Sequence, residues 1–248
     1  VISNLFKVKK GRRKVWTRLV CSVDEERRKA VKSNHTATHL LQAALRNVLG
    51  EHVKQAGSLV GPERLRFDFT HFTALSSAEL KSVTEFINEK VLDDIKVDSK
   101  EMEINDALAM GATALFGEKY GEHVRVVGVG PVSRELCGGT HVGATGEIGL
   151  FVITSEGSVA SGIRRIEALT GKAAIGYFKE KEAELEGIGR MLKTERPAER
   201  IKSLVEENKE LQRQMEKIRG EAAKDISREI VENAKSVNGI KVVSTKVD

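Results

Sequence analysis

One face of the stretch 25–49 runs through Val31, Asn34, Thr38, Leu41, Leu45 and Val48, at spacings of three and four. That period predicts a helix. Asp24 stands ready as its N-cap, Glu25 and Glu26 complement the helix dipole, and Gly50 comes next as a stop. A second amphipathic helix is predicted over 77–92, with Leu80, Val83, Phe86, Ile87 and Val91 apolar, and a short one around 105–112. Elsewhere the period is two. AGSLV, a Gly-Pro-Glu-Arg turn and LRFDF read as a hairpin over 56–70, and VRVVGV (124–129), IGLFVIT (148–154) and IRRIEAL (163–169) read as strands between glycine-rich turns. The pattern predicts an α+β domain over 24–170: two layers, with helices on one face of a mainly antiparallel sheet.

The flanks differ. Residues 1–23 read as two short strands around KKGRRK, which cannot be stable alone and are expected to be the remnant of a β-barrel or sheet. From Gly171 glycines thin out and Lys, Glu and Arg dominate. A helix over about 171–193 precedes Pro197, and Ile201, Leu204, Asn208, Leu211, Met215, Ile218 and Ala222 then trace a heptad pattern. A helical hairpin packed on itself over 171–236 is the simplest reading. An intermolecular coiled coil, with Asn208 fixing its register, is the rival. Residues 237–248 look like the first strand of a further domain.

Composition adds limits. Of 248 residues, 40% are hydrophobic and 31% charged, which places the chain among soluble globular proteins. No run of 18 apolar residues occurs, so no membrane span is expected. The start has no signal-peptide core and no initiator Met, so a cytoplasmic fragment of a longer chain is expected. Two cysteines, Cys21 and Cys137, make no disulfide framework and fit a reducing cytosol. A net charge of +5 favours a polyanionic partner only weakly, and an ordinary soluble protein fits it as well. The basic run KVKKGRRK (7–14) suits phosphates or a solvated hairpin tip equally.

The candidate chemistry lies in two pairs. His35 and His39 share a face of the first helix, and Cys137 and His141 flank Gly138-Gly139-Thr140 at the same spacing. An H-x-x-x-H alone is more often incidental, and a single Cys more often simply buried. Together, thiolate and imidazoles suit Zn2+. Four protein ligands would fill a tetrahedral ion, which argues for a positioning metal; a loose ligand would admit a zinc-bound water. The residue after His35 is Thr36, not the Glu of a zinc protease. His52, His71 and His123 have no such pairing and read as structural or exposed. Arg164 and Arg165, adjacent on a strand, must face opposite sides.

With these motifs the chain resembles alanyl-tRNA synthetase, in its editing domain and the helical segment after it. The resemblance rests on NHTATHLLQAALRNVLGEHVKQAGSLV (34–60), LRFDFTHF (65–72) and SRELCGGTHVGATGEIGLFVITSEGSVASGIRRIEALTG (133–171), and it covers nearly the whole chain. The threonyl-tRNA synthetase editing domain shares the two metal pairs but not CGGTHV. Free-standing alanyl-tRNA editing proteins share the zinc motif but not the long helices.

The resemblance implies a β-barrel remnant, an editing domain, a helical linker and the start of a C-terminal domain. It also implies one Zn2+ on His35, His39, Cys137 and His141, a pocket glutamine at Gln55, and tRNA(Ala) as partner. The implied reaction is hydrolysis of the ester joining Ser or Gly to tRNA(Ala). No aminoacylation domain and no phosphate-binding glycine motif is present, so no ATP site is expected. Thr36, Gln55 and Ser58 are candidates to recognise a serine hydroxyl, and the Gly138–Gly139 turn to supply oxyanion donors. Each also reads blandly: Thr36 as a bond to the helix carbonyl four residues back, Gln55 as surface, Ser58 as a strand start. The competing readings are a non-catalytic zinc-stabilised module for tRNA binding or dimerisation, with a homodimer through the helices or the C-terminal domain, and a free-standing alanyl-tRNA editing protein.

Overall fold

The computed structural model describes residues 10–11, 22–114, 120–237 and 239–243. The expected barrel remnant and the basic run KVKKGRRK fall outside these apart from Lys10, Gly11 and residues 22–23. The chain divides into two compact units, 1–179 and 180–248.

The first unit is built around α1 (Glu25–Leu49). Asp24 caps it, its side chain accepting from the Arg27 N–H at 2.9 Å. Gly50 ends it at φ +113°, a backbone conformation that a side chain would strain. α2 (Ser77–Leu92) opens on a reciprocal capping box between Ser76 and Glu79. Both helices match the expected bounds. They pack on one face of an antiparallel sheet ordered β1-β2-β7-β6, made of β1 (Gln55–Val60), β2 (Leu65–Thr70), β6 (Phe151–Ala160) and β7 (Ile163–Thr170). Leu65, Phe67 and Phe69 alternate into this core to meet Leu41, Leu45, Val83, Ile87 and Ile166, all fully buried. Each such side chain contributes roughly 1.5–3 kcal/mol on burial.

The other strands make a separate antiparallel sheet, β3-β4-β5, so the single sheet expected from the pattern is two. β3 (Val97–Glu103, VDSKEME) shows no period of two because only Val97 and Met102 are half-buried. Val97 packs against the main core. Met102 packs against a small second cluster of Ala107, Ala112, Val124, Val126 and Leu136. β4 (His123–Val129) is the strand expected at 124–129, and β5 (Ser133–Leu136) is only four residues long. α3 (Ile104–Ala109) comes directly after β3. The strand expected from residue 148 starts at Phe151 instead. Thr145–Ile148 is held as a 3-10 turn, with the Glu147 carboxylate accepting from the Gly143 and Ala144 N–H groups.

α4 (Gly171–Leu192) leads into the second unit, which contains α5 (Pro197–Glu232) and a short hairpin, β8 (Lys235–Val237) and β9 (Ile240–Val242). The two helices expected on either side of Pro197 are present, with the proline in the first turn of α5. No residue of α5 is buried. Leu211, Met215 and Ile218 on its heptad face are 58%, 54% and 64% exposed, so packing within a hairpin does not cover that face. Among the described residues, no helix is long and apolar enough to cross a membrane.

Candidate metal centre

α1 turns His35, His39, Gln42 and Arg46 towards one side, since residues three and four apart share a face. Cys137 follows directly on the end of β5, and the turn behind it returns His141. The four ligand atoms of His35, His39, Cys137 and His141 lie within 4.8 Å of one another. Cys137 Sγ is 3.5 Å from His35 Nε2 and 3.3 Å from His141 Nε2. A tetrahedral Zn2+ with ordinary bond lengths places nitrogen and sulfur ligands about 3.5 Å apart, so the donor set and its spacing fit the ion.

Burial keeps these imidazoles neutral, the state in which they can donate a lone pair. It pushes His39, only 4% exposed, down to about 3, with His35 adding to the effect. His141 is held at about 2, by burial first and then by His39, His35 and Arg125. His35 is also lowered by burial, while its hydrogen bond to the Thr140 backbone opposes the shift.

Thr36 is fully buried. Its hydroxyl donates to the Lys32 carbonyl at 3.0 Å, so its oxygen can only accept from its other neighbours. Those are the Val142 N–H at 3.2 Å and His141 Nδ1 at 3.1 Å. Nδ1 of His141 therefore carries the proton and Nε2 faces Cys137. The bond to the carbonyl four residues back is present, and it fixes what the oxygen can do for His141.

The two glycines separate sharply. A Cβ on Gly139 would stand 2.0 Å from His35 Cε1, whereas one on Gly138 would meet nothing within 4 Å among the described residues. The Gly139 N–H points at Cys137 Sγ, 3.4 Å away. Arg125, which no sequence motif marks, braces this turn by donating to the Cys137 carbonyl at 3.0 Å and the Gly139 carbonyl at 2.6 Å.

Gln55 is half-buried and donates to Ser58 Oγ at 3.2 Å. It lines a cavity of about 270 Å3 together with Gln42, Arg46, Glu51 and Thr113. A larger cavity of about 520 Å3 also borders Gln42 and Arg46 and reaches Glu135. None of the four clustered residues lines either cavity. Sequence reasoning misses Gln42, yet it lies three residues beyond His39 on the same helix face. It is 4% exposed and its Oε1 has no hydrogen-bond partner among the described residues. Glu135 is missed too, although on a strand it shares a face with Cys137 two positions on. Burial pushes its carboxyl up to about 7, against the Ser133 hydroxyl and Arg46, which pull it down.

Both adjacent arginines serve the sheet. Arg164 binds Glu156 through two bonds of 2.5 and 2.6 Å, and Arg165 binds Asp68 through two of 2.7 and 2.8 Å. His52 and His71 do pair, Nε2 to Nδ1 at 2.9 Å, and neither belongs to the four-residue cluster. His123 meets Glu103 at 3.1 Å.

Residues 124–167, which carry the Cys137–His141 pair, match the family described as the threonyl and alanyl tRNA synthetase second additional domain. Curated relatives narrow this to the alanine branch. The chain is 53% identical to the alanine–tRNA ligase of Acetivibrio thermocellus over 92% of its own length and 26% of that protein's. It is 47% identical to alanine–tRNA ligase 1 of Lachnoclostridium phytofermentans, over 99% of the chain and 28% of the relative. It is 45% identical to the alanine–tRNA ligase of Clostridioides difficile, over 100% and 28%. The chain is thus homologous to one segment of alanine–tRNA ligases and spans about a quarter of their length.

Proposed function

We propose that this chain is the editing part of an alanine–tRNA ligase, which hydrolyses the ester of Ser-tRNA(Ala) or Gly-tRNA(Ala). The observation that carries the reading is the convergence of His35, His39, Cys137 and His141 on one point, with Glu135, 3.2 Å from His39, lining the larger cavity. When bound, Zn2+ would hold these side chains together and supply a local positive charge. The protein's own residues do the rest. An aminoacyl ester is already activated, so a positioned water and donors for the carbonyl oxygen suffice. Amides of the Gly138–Thr140 turn are the donors we assign; that of Gly139 is shared with the Cys137 sulfur. Gln55 and Gln42 offer amide groups to a serine hydroxyl in the smaller cavity. Thr36, a candidate contact to that hydroxyl, has its oxygen against His141 Nδ1 and the Val142 N–H, and we assign it to the support of His141.

Such a second site answers a limit of the first. A pocket shaped for alanine excludes smaller glycine poorly and an added hydroxyl only about a hundredfold. The test is deacylation of Ser-tRNA(Ala) and Ala-tRNA(Ala) by the zinc-loaded chain. Hydrolysis of the serine ester, sparing of the alanine ester, and loss in a folded Cys137→Ala variant are expected. A folded, zinc-loaded chain that binds tRNA(Ala) and leaves the serine ester intact refutes the proposal. The exposed heptad face of α5 favours a second role in assembly, as a helix-mediated homodimer. Sedimentation showing a monomer at micromolar concentration would remove it.

A further inference from the structure

The three histidines of the cluster are not equally held. A metal-ligating imidazole needs its second nitrogen fixed by an acceptor, which sets the tautomer and the ring orientation. His141 has this from Thr36 Oγ1 and His35 from the Thr140 backbone. His39 does not. Its Nδ1 is buried and, among the described residues, has no aligned hydrogen bond. The group nearest to fill that need is Glu135, whose Oε2 lies 3.2 Å from Nδ1. The carboxylate is not there by default. It is 8% exposed, and its other oxygen is anchored by the Ser133 hydroxyl at 2.8 Å, which leaves Oε2 turned to His39.

We infer that Glu135 is the positioning residue of His39: it accepts a hydrogen bond from Nδ1–H when the metal binds, and so presents Nε2 to the ion. The contact is an ion-pair distance in need of alignment, and drawing His39 Nε2 onto a metal supplies the force that aligns it. A buried carboxyl facing a neutral imidazole is costly without that purpose. Ser133, Glu135 and Cys137 alternate along one face of β5 and its continuation, so a single strand delivers the anchor, the acceptor and the ligand.

This inference rests on the metal reading above, and its test separates the two. Zn2+ affinity is measured on the metal-stripped chain by competition with a chromophoric chelator, for wild type, Glu135→Gln and Ser133→Ala. The thermal midpoint of each metal-free protein is measured alongside. Glu135→Gln is expected to bind Zn2+ about 10–100-fold more weakly. Its metal-free form should be as stable as wild type or more so, since a buried ionisable group becomes a neutral one of the same shape. Ser133→Ala should fall between. Wild-type affinity in Glu135→Gln overturns the role of Glu135 while leaving the metal site standing. A loss of affinity accompanied by an equal loss of metal-free stability also overturns it, because Glu135 would then be only a support of the fold. A wild-type chain that binds no Zn2+ overturns both readings together.

Discussion

Replacing Gly139 with alanine isolates one contact. The new Cβ would stand 2.0 Å from Cε1 and 2.4 Å from Nδ1 of His35, where ordinary contact begins at 3.4 Å. The ring must retreat by more than an ångström, or the turn must move. The turn is poorly free to do so, because Arg125 holds the Gly139 carbonyl at 2.6 Å and the Cys137 carbonyl at 3.0 Å. A metal bond tolerates about 0.2 Å, so His35 leaves bonding range. Losing the support of a ligand costs about 10–100-fold in affinity, and displacing the ligand itself should cost at least the upper figure. That is about 2.8 kcal/mol at 1.4 kcal/mol per factor of ten. Overpacking adds about 1–3 kcal/mol of lost stability. Gly138→Ala is the control: its Cβ meets nothing within 4 Å among the described residues, and its φ lies outside the left-handed region. It should bind Zn2+ within about twofold of wild type. Chelator competition on the two variants decides the matter. Equal affinities, whether both high or both low, would refute the steric argument.

Thr36→Val keeps the shape but strands two donors, the Val142 N–H and His141 Nδ1–H. Zinc affinity should fall about 10–100-fold, with the preference for serine over alanine esters unchanged; a changed preference would return Thr36 to the pocket. Asn34, 1% exposed, donates to the Gly61 carbonyl at 2.8 Å and accepts from Thr170 Oγ1 at 2.7 Å. Asn34→Ala should cost about 2 kcal/mol and lower the thermal midpoint by roughly 4–8 °C, and an unchanged midpoint would contradict these bonds. The metal-free protein should also lose stability in acid. His39 and His141 stay neutral in the fold and take up protons when unfolded, so their contribution is full above about pH 6.5 and fades towards pH 3. Glu135, raised to about 7, works the other way: its contribution is full below about pH 4.5 and lost as pH rises through 7. Two histidines outweigh one carboxyl, so denaturant titrations at about pH 6.5 and 5.0 should differ by about 2 kcal/mol, at 1.36 kcal/mol per pKa unit. A flat or opposite dependence would count against neutral, buried rings.

Local chemistry made part of this molecule legible. α1 and α2 carry a helical period, N-caps and acidic first turns, and those signals need no distant partner to act. The β1–β2 hairpin was equally plain, since its alternating Leu65, Phe67 and Phe69 do face the core. The polar strand β3 and the four-residue β5 were hidden because edge strands are held by backbone pairing, which leaves little trace in side-chain pattern. The heptad of α5 was visible, but periodicity names an apolar face without naming what covers it.

For the site, the sequence by itself determined the donor types and their spacing: two pairs, each four residues apart, with chemistry suited to zinc. Tertiary structure decided that the pairs meet, although His35 and Cys137 are 102 positions apart. It also decided what each neighbour does. Gly138 and Gly139 are identical as letters, yet only one lies under an imidazole. Thr36 stands against His141 Nδ1 and Glu135 lies near His39 Nδ1 through packing across the core, a relation that no spacing along the chain sets.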